Sequence, residues 1–268
     1  MRTGLSRFQG ISYGLRAKVC YTDTQRVLES YTETIYTLLA IGVGHMSDIA
    51  KERDEIRRLL NSANPIDRLT ALGRNRTGAG GTCVFVASED ISRLLRHDSD
   101  ARVRAEAIKS CIFDYGVLTT FEDLSHAMQN DSDSEIRLSA AKALAHGSGS
   151  IIGEQGPPVV LTRQASLREK CLEVLRSAEP GDKNATCSRL CLSDLSALKD
   201  VVAYLSGRLP DDRSEDGHFV YYTLERLPDI YSQVGMLQKW KLKGVLKTIA
   251  QGFNSTYSSV AKKSLARL

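Results

Sequence analysis

Long apolar runs are missing from this chain of 268 residues. The longest near its start, Ile35 to Val43, is interrupted by Tyr36 and Thr37 and stops well short of the ~20 residues a bilayer-spanning helix needs. No membrane span is expected. Residues 1–22 also lack the continuous apolar stretch that a secretory signal carries behind its basic start, so secretion is not expected either. Cysteine is sparse. Six thiols (Cys20, Cys83, Cys111, Cys171, Cys187, Cys191) in a chain long enough to build its own core need not be bridged, and reduced thiols are expected. A cytoplasmic location follows as the expectation. Mitochondrial import is the alternative, because Arg2, Arg7, Arg16 and Lys18 without any acid share the composition of transit peptides. Aromatic residues make up only 6% of the chain, but 42% hydrophobic and 25% charged residues are too apolar a mixture for a disordered tail.

Catalytic constellations are missing too. None of the five histidines (His45, His97, His126, His146, His218) is followed by Glu or stands four residues from another, so a helical His/Glu metal site has no counterpart. Cys187 and Cys191 are four apart and share a helix face, but no second pair has zinc spacing and only Cys171 is near in sequence. On that ligand count no metal and no cofactor are expected. The Thr77–Thr82 loop has the glycines of a phosphate cradle without its Lys-Ser or Lys-Thr ending, and reads as a connector. Two Ser-x-x-Lys matches, from Ser196 and Ser259, lack the companion motifs of a serine nucleophile. The chain is expected to be non-enzymatic.

What is present is a repeat. Leu95 to Arg104, with the turn Asp98-Ser99-Asp100, returns 33 residues later as Met128 to Arg137, with Asp131-Ser132-Asp133. A third copy keeps the phase 31 residues further on: Val103, Ile136 and Leu167 align, followed by Arg104, Arg137 and Arg168. Counted from Val103 and its equivalents, the apolar positions recur at i, i+4, i+5 and i+8, one stripe of a helix of about three turns. A second helix precedes it, marked by Ile91, Leu94 and Leu95 in one copy and by Phe121, Leu124 and Met128 in the next. The Asp-Ser-Asp cluster between them supplies a turn and a helix N-cap. Weaker copies at 56–72, 195–227 and 242–268 bring the total to about six helix pairs, and all six prolines fall between the expected helices. A helical stripe from about Thr22 to Ile41 reads as a cap on the first pair.

These Asp-Ser-Asp…Arg stretches resemble HEAT-like repeats, of the short type also found in phycobilisome lyases, most clearly over residues 88–177. The resemblance implies an all-α fold: a right-handed α-solenoid of about six helix pairs over residues 51–268, behind a basic arm and capping helix at 1–50. It also implies a ladder of inter-repeat ion pairs from Asp100, Arg104, Asp133, Arg137 and Arg168, broken before Arg168 because Gln164 stands in the aspartate column.

Charge distribution says more than its total of +4. Residues 1–22 hold four basic groups and residues 230–268 hold seven, with no acid in either, leaving 25 basic against 32 acidic groups between them. Lys239, Lys243 and Lys247 recur at i, i+4 and i+8 with Trp240 beside them, away from the stripe Leu242, Val245, Leu246 and Ile249. A tryptophan in a lysine row can stack on a base while the ammonium groups meet phosphates. Alternatively it covers a seam between repeats and the lysines form a solvated rim. The expected function is a protein-binding scaffold or adaptor, of a regulatory or immunity type. Lys239, Trp240, Lys243, Lys247, Lys262, Lys263 and Arg267 are its candidate contact for a partner with an acidic surface. Nucleic-acid binding of the kind seen in HEAT-like DNA glycosylases is the second reading, disfavoured by the acidic body. A phycobilin lyase or lyase subunit, implied only by repeat type, is the third.

Overall fold

The computed structural model describes residues 50–77, 87–112, 117, 119–146, 160–161, 163–179, 181–207, 209, 211 and 214–268. The basic arm, the expected capping helix and the glycine-rich connector at 78–81 lie outside them. The chain divides into two compact units, Met1–Arg58 and Leu59–Leu268; of the first, residues 50–58 are described and are helical. Among the described residues there are helices and no strands, as the periodicity implied.

Helix α1 spans 50–60. It is followed by α2 (Pro65–Thr77), α3 (Ser88–His97), α4 (Ala101–Ser110), α5 (Phe121–Asn130), α6 (Ser134–His146), α7 (Ala165–Arg176) and α8 (Lys183–Cys191). A 3₁₀ turn at Leu195–Ala197 leads into α9 (Leu198–Leu205), α10 (Glu215–Tyr231), α11 (Met236–Ala250) and α12 (Ser255–Ala266). The even-numbered helices form one row, each packed on the next from α2 to α12. In the odd-numbered set α3 packs on α5, α5 on α7, and α9 on α11. Ile91, Leu94 and Leu95 of α3 and Val103, Ala107 and Ile108 of α4 are buried at the spacing the sequence predicts.

Every even-numbered helix begins with a polar side chain that accepts a backbone N–H of its first turn. Asn64 accepts from Ile66, Asp100 from Arg102, Asp133 from Glu135, Asp182 from Ala185, Ser214 from Gly217 and Asn254 from Tyr257. The residues ahead of α3, α5, α7, α9 and α11 make no such bond. The cap satisfies a first-turn donor that would otherwise have no partner within the helix.

This corrects the third copy of the sequence alignment. Helix α7, which carries Leu167 and Arg168, packs on α5, and the helix that follows α6 in the even row is α8, capped by Asp182. The apolar spacing of α7 matched that of α4 and α6 because both rows bury one stripe. Gln164 has no capping bond.

Two prolines also depart from the expected pattern. Pro65 is the first residue of α2, where its missing N–H costs nothing, and Pro228 lies inside α10. Having no N–H, Pro228 leaves the carbonyl of Leu224, four residues back, without its helical donor. Ser264 of α12, itself buried, supplies the replacement by donating its hydroxyl to that oxygen at 2.7 Å. Arg267 donates to the next carbonyl, Glu225 O, at 3.3 Å. Ser264→Ala is therefore expected to destabilise the fold by about 1–2 kcal/mol, since it strands a buried acceptor. Urea unfolding midpoints check this, and a Ser264→Ala, Pro228→Ala double variant should recover part of the loss.

Candidate functional site

The arginines of the repeat form a regular device at the even row. Arg68 makes a bidentate pair with Asp98 at 2.6 and 2.8 Å, and Arg104 makes the same pair with Asp131 at 2.8 and 2.9 Å. Each also donates Nη1 back to its own turn, Arg68 to Ser62 O at 2.7 Å and Arg104 to Asp98 O at 2.8 Å. Arg137 keeps the backward bond, to Asp131 O at 2.7 Å. The ladder carboxylates are thus Asp98 and Asp131, not Asp100 and Asp133 as the resemblance implied. The latter two are occupied as N-caps, and Asp100 additionally pairs with Arg102 two residues on. Arg168 lies in the odd set and donates to Leu192 O at 3.1 Å and to Glu169 at 3.3 Å. Beyond α6 other ions join the row: Lys142 meets Asp182 at 2.7 Å, Lys183 meets Asp216 at 2.5 Å, and Arg267 meets Asp229 at 2.5 Å.

The sequence-predicted contact surface falls on α11 and α12. Leu242, Leu246 and Ile249 are buried, as their stripe requires. On the opposite face of α11, Trp240 is 75% exposed, so it does not seal a seam between helices. Met236 and Leu237, which the sequence reading passed over, are 87% and 66% exposed. At about 100° per residue they share a face with Trp240, Lys243 and Lys247. Their position one turn before Trp240, opposite the buried stripe, was the available signal. Lys243, Lys247, Lys262 and Lys263 are exposed, with no acidic partner among the described residues. Lys239 is half-buried, its ammonium 5.4 Å from the centre of the Tyr231 ring. Arg267 is paired with Asp229.

A second cluster was not foreseen. His146 ends α6, and the packing of α6 on α8 brings its ring to Cys187 and Cys191. The imidazole donor atom and the two sulfurs all lie within 4.8 Å of one another. The donor count expected to stop at two therefore reaches three. Nothing in the local sequence links His146 to the pair, which stands more than forty residues away on a different helix. Cys187 is fully buried and Cys191 half-buried.

The cluster is polarised. A hydrogen bond from Cys187, with the positive charge of Arg226 nearby, holds the Cys191 thiol well below its ordinary range against the opposing effect of burial. The same bond, with burial, pushes Cys187 well above it. By contrast Cys111 and Cys171 are buried core residues, and burial pushes Cys171 up to about 12. Beside the cluster a cavity of about 340 Å³ is lined by His146, Asn184, His218 and Tyr222 together with residues of α4 and α6.

No family model matches the chain, and no curated protein matches it. Any functional assignment therefore rests on the geometry.

Proposed function

We propose that the chain is a HEAT-like, right-handed α-solenoid scaffold of about six helix pairs, α2 supplying the second helix of the first. On this reading it binds an acidic, amphipathic segment of a partner protein across α11. The unbroken row of even helices and the recurring Arg–Asp pairs support the solenoid. The observation that carries the binding function is the face of α11. Met236, Leu237 and Trp240 present contiguous apolar surface to water, and Lys243 and Lys247 extend the same face with positive charge that no acidic side chain among the described residues pairs.

An exposed aromatic anchor within an apolar patch has the anatomy of a binding hot spot. The lysines select the partner: apolar groups on one face of a helix would cover Trp240, and its carboxylates would meet the ammonium groups. Residues 1–22 of this chain, with four bases and no acid, have the wrong charge to occupy it.

Affinity capture under native conditions, followed by titration of the purified partner, tests the proposal. Trp240→Ala is expected to weaken binding about 10-fold or more. Lys243→Glu with Lys247→Glu should slow association, an effect that fades as salt rises. Both variants should keep the parent urea midpoint, because the side chains are exposed. Undiminished binding by both variants would sink the reading. Tight binding to short DNA or RNA at about 150 mM salt, falling steeply with added salt, would replace it with nucleic-acid binding.

A further inference from the structure

We propose that His146, Cys187 and Cys191 are a three-donor binding site for a thiophilic divalent cation, with Zn²⁺ the ion whose coordination fits them. Two thiolates and one imidazole are a donor set that zinc accepts, at about 2.3 Å to sulfur and 2.0–2.1 Å to nitrogen. A tetrahedral ion with those bond lengths holds its donors roughly 3.5–3.8 Å apart. The three donor atoms already converge within 4.8 Å, and Cys191 Sγ lies 4.0 Å from His146 Nδ1. The remaining contraction is within reach of side-chain rotation.

The second ring nitrogen is arranged as a metal-binding histidine requires. His146 Nε2 faces the carbonyl oxygen of Asn184 at 3.4 Å, and since a carbonyl only accepts, Nε2 carries the proton. In the neutral ring Nδ1 is then the unprotonated nitrogen, and it is the one that points to Cys191. A backbone carbonyl that fixes the tautomer from behind is the usual outer-shell partner of a ligating histidine. The Tyr222 ring packs against the imidazole, centres 5.7 Å apart, and restrains its orientation.

A disulfide fits the same pair less well. Residues four apart on a helix have Cβ atoms about 5–6 Å apart, whereas a disulfide needs about 3.5–4.5 Å. Closing it would unwind the last turn of α8, while a metal bridges the wider spacing. Three protein donors leave the fourth position of a tetrahedral ion to solvent or an added ligand, which distinguishes this arrangement from a closed structural zinc site.

The test uses the full, reduced chain with Cys20→Ser and Cys83→Ser, so that thiols outside the described residues do not contribute. Titration with Co²⁺ is expected to give the intense absorption of tetrahedral cobalt–thiolate, saturating at one ion per chain and abolished by Zn²⁺. Cys191→Ser and His146→Gln should each weaken zinc binding by on the order of 10–100-fold or more. The metal-free urea midpoint of His146→Gln should stay near the parent value, so loss of binding is not read as loss of fold. If buried Cys187→Ser does not fold, the other two variants decide the question. Absence of the cobalt–thiolate absorption, its persistence in both variants, or formation of a Cys187–Cys191 disulfide with peroxide in place of cobalt binding would each overturn the site.

Discussion

Arg104→Ala is expected to lower the free energy of unfolding by about 3–5 kcal/mol, a large fraction of what a domain of this size possesses. The guanidinium of Arg104 and the carboxylate of Asp131 are 9% and 6% exposed, and they form two parallel charge-assisted bonds. Deleting the arginine does more than remove a bridge between α4 and the turn ahead of α6. It leaves a carboxylate buried with no counter-ion and strips Asp98 O of the bond it receives at 2.8 Å. Asp131→Asn should cost less. An amide still accepts from Asp133 N, as Asp131 does at 2.9 Å, so the turn survives while the charge goes.

The comparison that isolates burial is Arg93 with Asp90, a pair at 3.1 Å whose partners are 43% and 31% exposed. Arg93→Ala should change stability by less than about 1 kcal/mol. Urea unfolding of the variants measures both effects, and comparable losses at Arg93 and Arg104 would refute the argument from burial.

The ladder also shows where sequence reasoning succeeded and where it slipped. The arginines at 104 and 137 were visible because one charge recurred beside the apolar stripe. The choice between Asp98 and Asp100 was not, because a three-residue Asp-Ser-Asp turn offers two carboxylates of identical chemistry. Position relative to the cap decides between them. The second aspartate lies next to the helix start and is captured by the first-turn amides, which frees the first to face its neighbour. Caps likewise held the register that apolar spacing lost. Asn64, Asp100, Asp133, Asp182, Ser214 and Asn254 mark the even row, and reading them would have placed α8 rather than α7 after α6. Periodicity reports that a helix has a buried side. It does not report which of two layers the helix occupies.

The candidate surfaces differ in legibility for the same kind of reason. The lysine row on α11 is local, set by i, i+4, i+8 spacing on a single helix, and could be read from the sequence. The cluster of His146 with Cys187 and Cys191 depends on the packing of α6 against α8 across a connection whose length the repeat period did not predict. A three-donor site assembled from two helices is invisible to a search for ligands near in sequence.

Asp194 governs the acid side of the stability curve. It precedes the 3₁₀ turn, is nearly buried, and accepts from Arg189 Nε at 2.9 Å, Arg176 Nε at 3.2 Å and the Ser196 hydroxyl at 2.7 Å. Burial pulls its pKa upward, but the bonds from Ser196, Arg189 and Arg176 prevail and lower it from 3.8 to about 2. A carboxylate whose pKa is depressed in the folded state contributes stability that is complete above its unfolded value and lost as pH falls through the folded one. The contribution is about 2–3 kcal/mol at pH 7. It should hold level down to about pH 4 and disappear between there and about pH 2. Asp194→Asn, which keeps the shape and removes the charge, should be less stable than the parent at neutral pH by about that amount. The gap between the two proteins should then close over the same acid interval. Urea midpoints measured for both from pH 7 downward test this. A gap of constant size across that range would mean that the carboxylate acts through packing alone, and that the two arginines converging on it contribute nothing that depends on its charge.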